Sequence, residues 1–365
     1  MSQRVQPQTT RVVRRTATLA VLVCVLALLS SCGGNNGKTG VSLIIKTQTN
    51  PYFVSMKRAA LAEAKKTGTH LSVASGNADG DTQSQINAID TAIARGDKGI
   101  LITSNGPAVN AALRQAKAYG LFVIALDTPL DPANTADVTY ATNNFQAGKL
   151  IGEYAAKRLA GKKAVIAMLD LYDDQVVSVD IDRDHGFLTG MGIDPGSKTL
   201  NAKEKRTGSY KGGKGGSYQI ACHQATQGAV DGGRKAMEQC LSRNPDINVV
   251  YTINEPAGEG AHAALKADNR EDKAFIVSID GSCQGMEDVE NGIFAADATQ
   301  YPGKMAKLGV DAVADIGKGK QPPSLPKGED YLDTGTNLVT AKPLGGIKSQ
   351  TVDEGRQGCW GTAGK

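Results

Sequence analysis

Short apolar runs alternate with helix-patterned stretches along almost the whole chain, and few folds tolerate that rhythm. From Val41, "VSLIIK" precedes "PYFVSMKRAALAEAKKTG", "HLSVAS" precedes "TQSQINAIDTAIARG", "GILIT" precedes "AVNAALRQAKAYG", and "LFVIALD" closes the series. In the longer stretches apolar residues recur every three or four positions, and Gly68, Gly96 and Gly120 stand where left-handed caps end helices. The short runs are predominantly apolar, as strands of a parallel sheet covered on both faces are. The rhythm then restarts: "NFQAGKLIGEYAAKRLAG" reads as a helix, "KAVIAMLD" as a strand, "DIDRDHGFLTGM" as a helix start and "YQIACH" as a strand. "AVDGGRKAMEQCLSRN", "INVVYTIN", "AGEGAHAALKAD" and "AFIVSID" continue it. Each half has the length of one compact domain. The expected fold class is α/β, with two Rossmann-like parallel-sheet lobes in tandem.

The formal charge of +4 hints at an anionic partner, but the hint is local. Residues 1–31 hold Arg4, Arg11, Arg14 and Arg15 and no acid; without them 37 basic residues face 37 acidic ones. A neutral body argues against nucleic acid as partner. The same stretch has the layout of an export signal: basic "RVVRR", apolar "LAVLVCVLALL", then small residues. The apolar run is shorter than the roughly 20 residues of a membrane span. "LSSC", ending at Cys32, resembles the lipobox of bacterial lipoproteins, which implies acylation of Cys32 and a lipid anchor in the cell membrane. Residues 1–31 are then a signal peptide, and 32–40, including "GGNNGKTG", a flexible tether.

Export gives the remaining cysteines a meaning. Cys222, Cys240, Cys283 and Cys359 suffice for two disulfides. Sequence alone allows three pairings; Cys222–Cys240 with Cys283–Cys359 is favoured, the first because it closes a local strand-to-helix loop. Metal motifs are missing from the sequence. The four histidines are scattered without His-Glu-x-x-His, and "DIDRD" lacks the glycine and closing glutamate of a calcium loop. The Gly-, Lys- and Ser-rich "PGSKTLNAKEKRTGSYKGGKGGS" lacks the ending of a phosphate loop and reads as a surface insertion. No cofactor is expected.

Open parallel sheets bind ligands beyond the carboxyl ends of their strands. There the chain places Asn50, Tyr52 and Phe53 after the first strand, Thr103, Ser104 and Asn105 after "GILI", and Asp127 after "LFVIAL". In the second half Arg183 follows "AVIAMLDLYDD", Asn254 and Glu255 follow "INVVYTI", and Asp280 ends "AFIVSID". Carboxylate, amide and guanidinium groups engage vicinal hydroxyls in pairs, and Tyr52 and Phe53 offer faces for the C–H side of a sugar ring. The alternative for each polar residue is helix capping, and for the aromatics ordinary core packing.

Taken together, "NPYFVSMKRAALAEAKKTG", "NADGDTQSQINAIDTAIARGDKGILIT", "GLFVIALDTPL", "VVYTINEPAGEGAHAALKA" and "ADATQYPGKMAKLGVDAV" resemble the periplasmic-type sugar-binding proteins of the ribose/galactose class, the solute-binding component of an ATP-driven (ABC) importer. "YQIACHQATQGAVDGGRKAMEQC" and the "GCWG" near the end look closest to the fructose-type lipoproteins of that class. The resemblance implies a monosaccharide ligand, a fructose-like hexose or a pentose, held between two lobes, and an ABC transporter permease as partner of a monomeric chain. It implies roles for Asn50, Tyr52, Phe53, Asp127, Arg183, Asn254 and Asp280, and adds Gln300 in "ATQYP". It also implies three lobe crossings, near Thr142–Asn144, Thr299–Tyr301 and Pro322–Pro326. Lobe 1 is then 41–142 with 301–324, and lobe 2 is 143–300 with 325–365. Thr128 stands where ribose binders carry arginine, and Tyr52 where they carry phenylalanine, which leaves other pentoses and hexoses open.

Three rivals compete. "GSCQG" resembles a nucleophile elbow with Cys283 in the serine position; in an exported chain with Cys359 as partner, a hydrolase is disfavoured. A repressor sharing this fold would need a helix-turn-helix before Val41. A sensor lipoprotein presenting bound sugar to a receptor would use the same closed shape.

Overall fold

The computed structural model describes residues 38–362. The expected signal peptide, the lipidation of Cys32 and most of the tether lie outside the described residues.

The first sheet has six strands, all parallel, in the order β2-β1-β3-β4-β5-β12. These are β1 (Gly40–Ile45), β2 (His70–Ser75), β3 (Gly99–Ile102), β4 (Phe122–Leu126), β5 (Val138–Ala141) and β12 (Leu332–Asp333). Helices α1 (Pro51–Thr67), α2 (Thr82–Arg95) and α3 (Asn110–Ala118) connect them. Local chemistry sets α1. The Asn50 side chain caps it by accepting from Tyr52 N at 2.9 Å, Pro51 opens it, and Gly68 closes it at φ 76°. Val41, Leu43, Ile45, Leu101, Ile124 and Leu126 pack one face of the sheet, while Ile44, Ile100, Ile102, Val123 and Ala125 pack the other. Two-sided burial explains the apolar runs.

The second sheet has seven strands, β13-β11-β10-β9-β6-β8-β7. Its parallel centre is β6 (Ala164–Asp170), β8 (Gly216–Ala225), β9 (Val249–Thr252), β10 (Phe275–Asp280) and β11 (Phe294–Thr299). Antiparallel edges are β7 (Thr207–Tyr210) on β8 and β13 (Leu338–Val339) on β11. Helices α4 (Asn144–Leu159), α5 (Ser178–Met191), α6 (Val230–Arg243), α7 (Glu255–Ala267) and α8 (Cys283–Glu290) cover it. Helices α4 and α5 meet backbone to backbone. A β-carbon at Gly148, Gly152, Gly186 or Gly190 would run into the carbonyl of Arg183, Phe187, Phe145 or Lys149 respectively. Disulfides join Cys222 to Cys240 and Cys283 to Cys359, with Cα separations of 5.7 and 4.9 Å. Cys283 is therefore no free nucleophile.

The chain enters the second sheet after Ala141 and returns after Thr299, where α9 (Pro302–Gly317) packs on α1. The third passage departs from expectation. Beyond Pro326 the chain is still on the first lobe: Leu325 and Leu332 pack on its core, and Leu332–Asp333 pairs with Tyr140 and Ala141. The crossing falls between Asp333 and Leu338. Prolines 322, 323 and 326 lack the N–H a ladder needs, so they mark an extended run, with pairing only beyond them. The Gly- and Lys-rich stretch also differs from a plain surface insertion. It forms the β7 edge and buries Tyr210 and Glu204.

Candidate functional site

In each sheet the first strand has neighbours running off in opposite directions, β1 between β2 and β3, and β6 between β8 and β9. Ligands bind at such switch points. The two carboxyl edges face one another across a narrow cleft lined by residues of both lobes. Asn50, Tyr52, Phe53 and Asp127 line it from the first, and Arg183, Asn254, Asp280 and Gln300 from the second or its crossing. The lobes also touch directly: Tyr172 Oη donates to Asp79 Oδ1 at 3.2 Å, and Ser178 Oγ to the Pro129 carbonyl at 2.7 Å.

The cleft is polar, buried and incompletely satisfied. Asp127 Oδ2 accepts from the Thr128 hydroxyl at 2.9 Å, while its Oδ1 is buried without a hydrogen-bond partner. Its backbone is constrained as well. Thr128 N donates to Leu126 O at 2.6 Å with Asp127 at φ 64°, the strained form of the γ-turn. Gln300 Nε2 donates to Asp280 Oδ1 at 2.8 Å, and Gln300 Oε1 is left buried and unpaired. Arg183 Nε donates to Asn144 Oδ1 at 2.9 Å and Nη1 to the Ile253 carbonyl at 2.8 Å, so two of its three nitrogens aim the guanidinium from behind. Burial pushes the Asp280 carboxyl up to about 7, and Arg183 pulls the other way. Unmet acceptors beside a guanidinium suit a ligand that donates several hydroxyls.

Not every residue singled out in the sequence is in this cleft. Thr103 Oγ1 accepts from Lys46 N at 3.0 Å and Ser104 Oγ donates to the Gly106 carbonyl at 2.9 Å, so both serve turn geometry off the cleft. Asn105 likewise ties loops together, through Lys46 O and Asp81 O. Glu255 lines the neighbouring pocket; its Oε1 accepts from Gly281 N and Ser282 N, both at 3.0 Å. Burial, then Asp297 and Asp280, hold its carboxyl well above the usual range. Asn254 lines the cleft and also caps α7, accepting from Ala257 N at 3.1 Å. Tyr52 and Phe53 are at once core and wall: both pack in the first lobe's core, their rings edge-to-face at 5.3 Å.

Two features escaped the sequence reading. Lys46 and Asp79 line the cleft, and a charge ending an apolar strand was the available signal for Lys46. Trp360 stands edge-on to Tyr52 at 5.4 Å and donates its indole N–H to the carbonyls of Asp280 and Gln300 at 3.2 and 3.1 Å. The Cys283–Cys359 bridge holds it there, and only that pairing pointed to it.

Two doubly wound lobes linked by three passages around a polar cleft define a solute-binding clamp. A sequence model described as a periplasmic binding protein domain matches residues 41–321, and the chain belongs to that family. Members of the family are extracytoplasmic, and among the described residues no helix is long and apolar enough to cross a membrane. The ribose import binding protein RbsB of Salmonella typhimurium is 28% identical over 307 residues, 83% of this chain and 93% of that protein. The D-apiose import binding protein of Paraburkholderia graminis is 27% identical over 280 residues, 76% and 80% of the two chains. An ABC transporter solute-binding protein of Agrobacterium vitis, solved with α-D-tagatopyranose, shares the fold at a TM-score of 0.71 and 17% identity, covering 89% of this chain and all of that one.

Proposed function

We propose that this protein captures one monosaccharide between its lobes and delivers it to the permease of an ABC importer, without altering the sugar. The observation that carries this reading is the pair of buried, unpartnered acceptors in the cleft, Asp127 Oδ1 and Gln300 Oε1, beside Arg183 and Asp280. Each acceptor costs free energy until a donor arrives, and a ring bearing several hydroxyls supplies the donors together. Asp127 and Gln300 accept, Arg183 donates through Nη2, and Asp280 accepts from a hydroxyl that enters its pair with Gln300. Tyr52 and Phe53 provide the apolar wall, and Asn50 and Asn254 sit at its edges. The relatives' names, import binding proteins for ribose and apiose, both five-carbon sugars, support a monosaccharide ligand. Closure is favoured because the ligand contacts both lobes only when they meet. The reading includes anchoring through an acylated Cys32 in the cell membrane beside the permease.

A thermal-shift screen of pentoses and hexoses on protein beginning after Cys32, followed by calorimetry, tests this. A sugar that raises Tm and binds with one-to-one stoichiometry supports it. The reading fails if no monosaccharide shifts Tm, or if the protein converts a sugar chemically.

A further inference from the structure

A second cluster of polar side chains lies in the second lobe, and none of its four residues lines the cleft. Asp170 ends β6, His223 lies on β8, Asp184 on α5, and Glu204 comes from the stretch that leads to β7. His223 Nδ1 is 2.7 Å from Asp170 Oδ2 and 3.9 Å from Asp184 Oδ2, while Nε2 is 3.0 Å from Glu204 Oε1. Among the described residues His223 is the only cationic partner within ion-pair distance of these three carboxylates. Asp184 is fully buried, and neither of its carboxylate oxygens has a hydrogen-bond partner; Asp170 Oδ1 and Glu204 Oε2 are also buried and unpaired. One ligand atom from each of Asp170, Asp184 and His223 can be chosen so that all lie within 4.8 Å of one another. Three carboxylates against one imidazole leave the cluster short of positive charge.

We propose that Asp170, Asp184 and His223 form a binding site for one divalent transition-metal cation, with zinc the best fit to the donor set. An imidazole with two carboxylates and an open fourth position is zinc chemistry. Glu204 completes the arrangement from behind: it accepts from Nε2–H, so that when the metal displaces the Nδ1 proton to solvent the Nδ1 lone pair faces the ion. Ligand atoms about 2.1 Å from a tetrahedral zinc stand roughly 3.4 Å apart. The two spacings from His223 Nδ1, 2.7 and 3.9 Å, bracket that value, and the three ligand atoms can be chosen within 4.8 Å of one another, so a small adjustment of the carboxylates brings them to a common ion. Access exists, because a surface pocket lined by Asp170, Tyr172 and His223 reaches the cluster. The residues are scattered over β6, α5 and β8, which is why no linear motif announces them. An ion here would pin β6, β8 and α5 to the stretch before β7, which otherwise lacks regular structure.

The test uses the untagged full-length chain, stripped with a chelator and titrated calorimetrically with zinc chloride, with calcium and magnesium chlorides as controls. One equivalent of zinc should bind and raise Tm, calcium and magnesium should not compete, and X-ray absorption should show a single imidazole among oxygen ligands. His223→Gln and Asp184→Asn should each weaken zinc binding by about 100-fold or more, and Glu204→Gln by about 10–100-fold. The proposal is overturned if zinc fails to saturate one site, or if both ligand variants bind it as the parent does. Should either variant fail to fold, the absorption spectrum of the unaltered chain decides, and a spectrum without imidazole overturns the proposal. Monosaccharide affinity is read separately, so failure here leaves the clamp untouched.

Discussion

Asp127 couples a strained turn to a ligand acceptor, and replacing it by glycine and by alanine in parallel separates the two. Both variants lose the same carboxylate and the same bond from Thr128, so those losses cancel in the comparison. At φ 64° a residue with a β-carbon carries a cost of about 1–2 kcal/mol that glycine does not. Glycine returns roughly 0.4–1 kcal/mol of this through its freer unfolded chain. Asp127→Gly should therefore be more stable than Asp127→Ala by about 1 kcal/mol, or about 2 °C in Tm for a chain of this size. Sugar affinity should fall equally in both, by about 2–5 kcal/mol, because a buried charged acceptor is removed and its donors are stranded. Scanning calorimetry of the sugar-free variants gives the first number, and titration with the best sugar from the screen gives the second. Equal melting temperatures would show that the turn is not strained. Retained affinity in either variant would show that the carboxylate does not face the ligand.

Other outcomes follow from the same geometry. Arg183→Ala should weaken sugar binding by about 2–5 kcal/mol, and Arg183→Lys should recover little, since one ammonium cannot hold Asn144, Ile253 and a hydroxyl together; full affinity in the lysine variant by calorimetry would contradict this. With Asp280 raised to about 7, a sugar hydroxyl donating to its ionised form lowers that value. Binding should then release a proton near neutrality and tighten from about pH 5 to 7, then level off; heats that do not vary between buffers of different ionisation enthalpy would exclude it. The same raised carboxyl should make the sugar-free protein lose stability as pH rises from about 4 to 7, because the folded state holds the proton and the unfolded state has released it; an Asp280→Asn variant whose Tm falls with pH as steeply as the parent's would contradict this. Gly152→Ala should destabilise by at least about 1–3 kcal/mol through overpacking of α4 against the Phe187 backbone, and should weaken sugar binding, because the same helix contact positions Arg183. Unchanged unfolding would refute the backbone contact.

Much of the fold was legible because its signals are local. Predominantly apolar strands, helix-spaced apolar residues and glycine caps each report on a few neighbouring positions, and all agree. The cleft was legible in part, since parallel strands bring their carboxyl ends to one edge. What failed was the direction of individual side chains. Thr103 and Ser104 sit at a strand end as Asp127 does, yet their hydroxyls turn back to satisfy backbone groups. Glu255 is adjacent to Asn254 but accepts from the turn after β10. The third crossing was misplaced because prolines mark where hydrogen bonding is impossible, and say nothing of where the chain next pairs. Trp360 and the Asp170–His223 cluster depend on contacts between residues far apart in sequence, where periodicity carries no information.

The bridge from Cys283 to Cys359 spans 76 residues and does more than shorten the unfolded chain. It fixes the indole that braces Tyr52 and the carbonyls of Asp280 and Gln300. In reducing surroundings that brace loses its covalent tether. The wall of the cleft is thereby made to depend on a covalent bond that oxidising surroundings preserve.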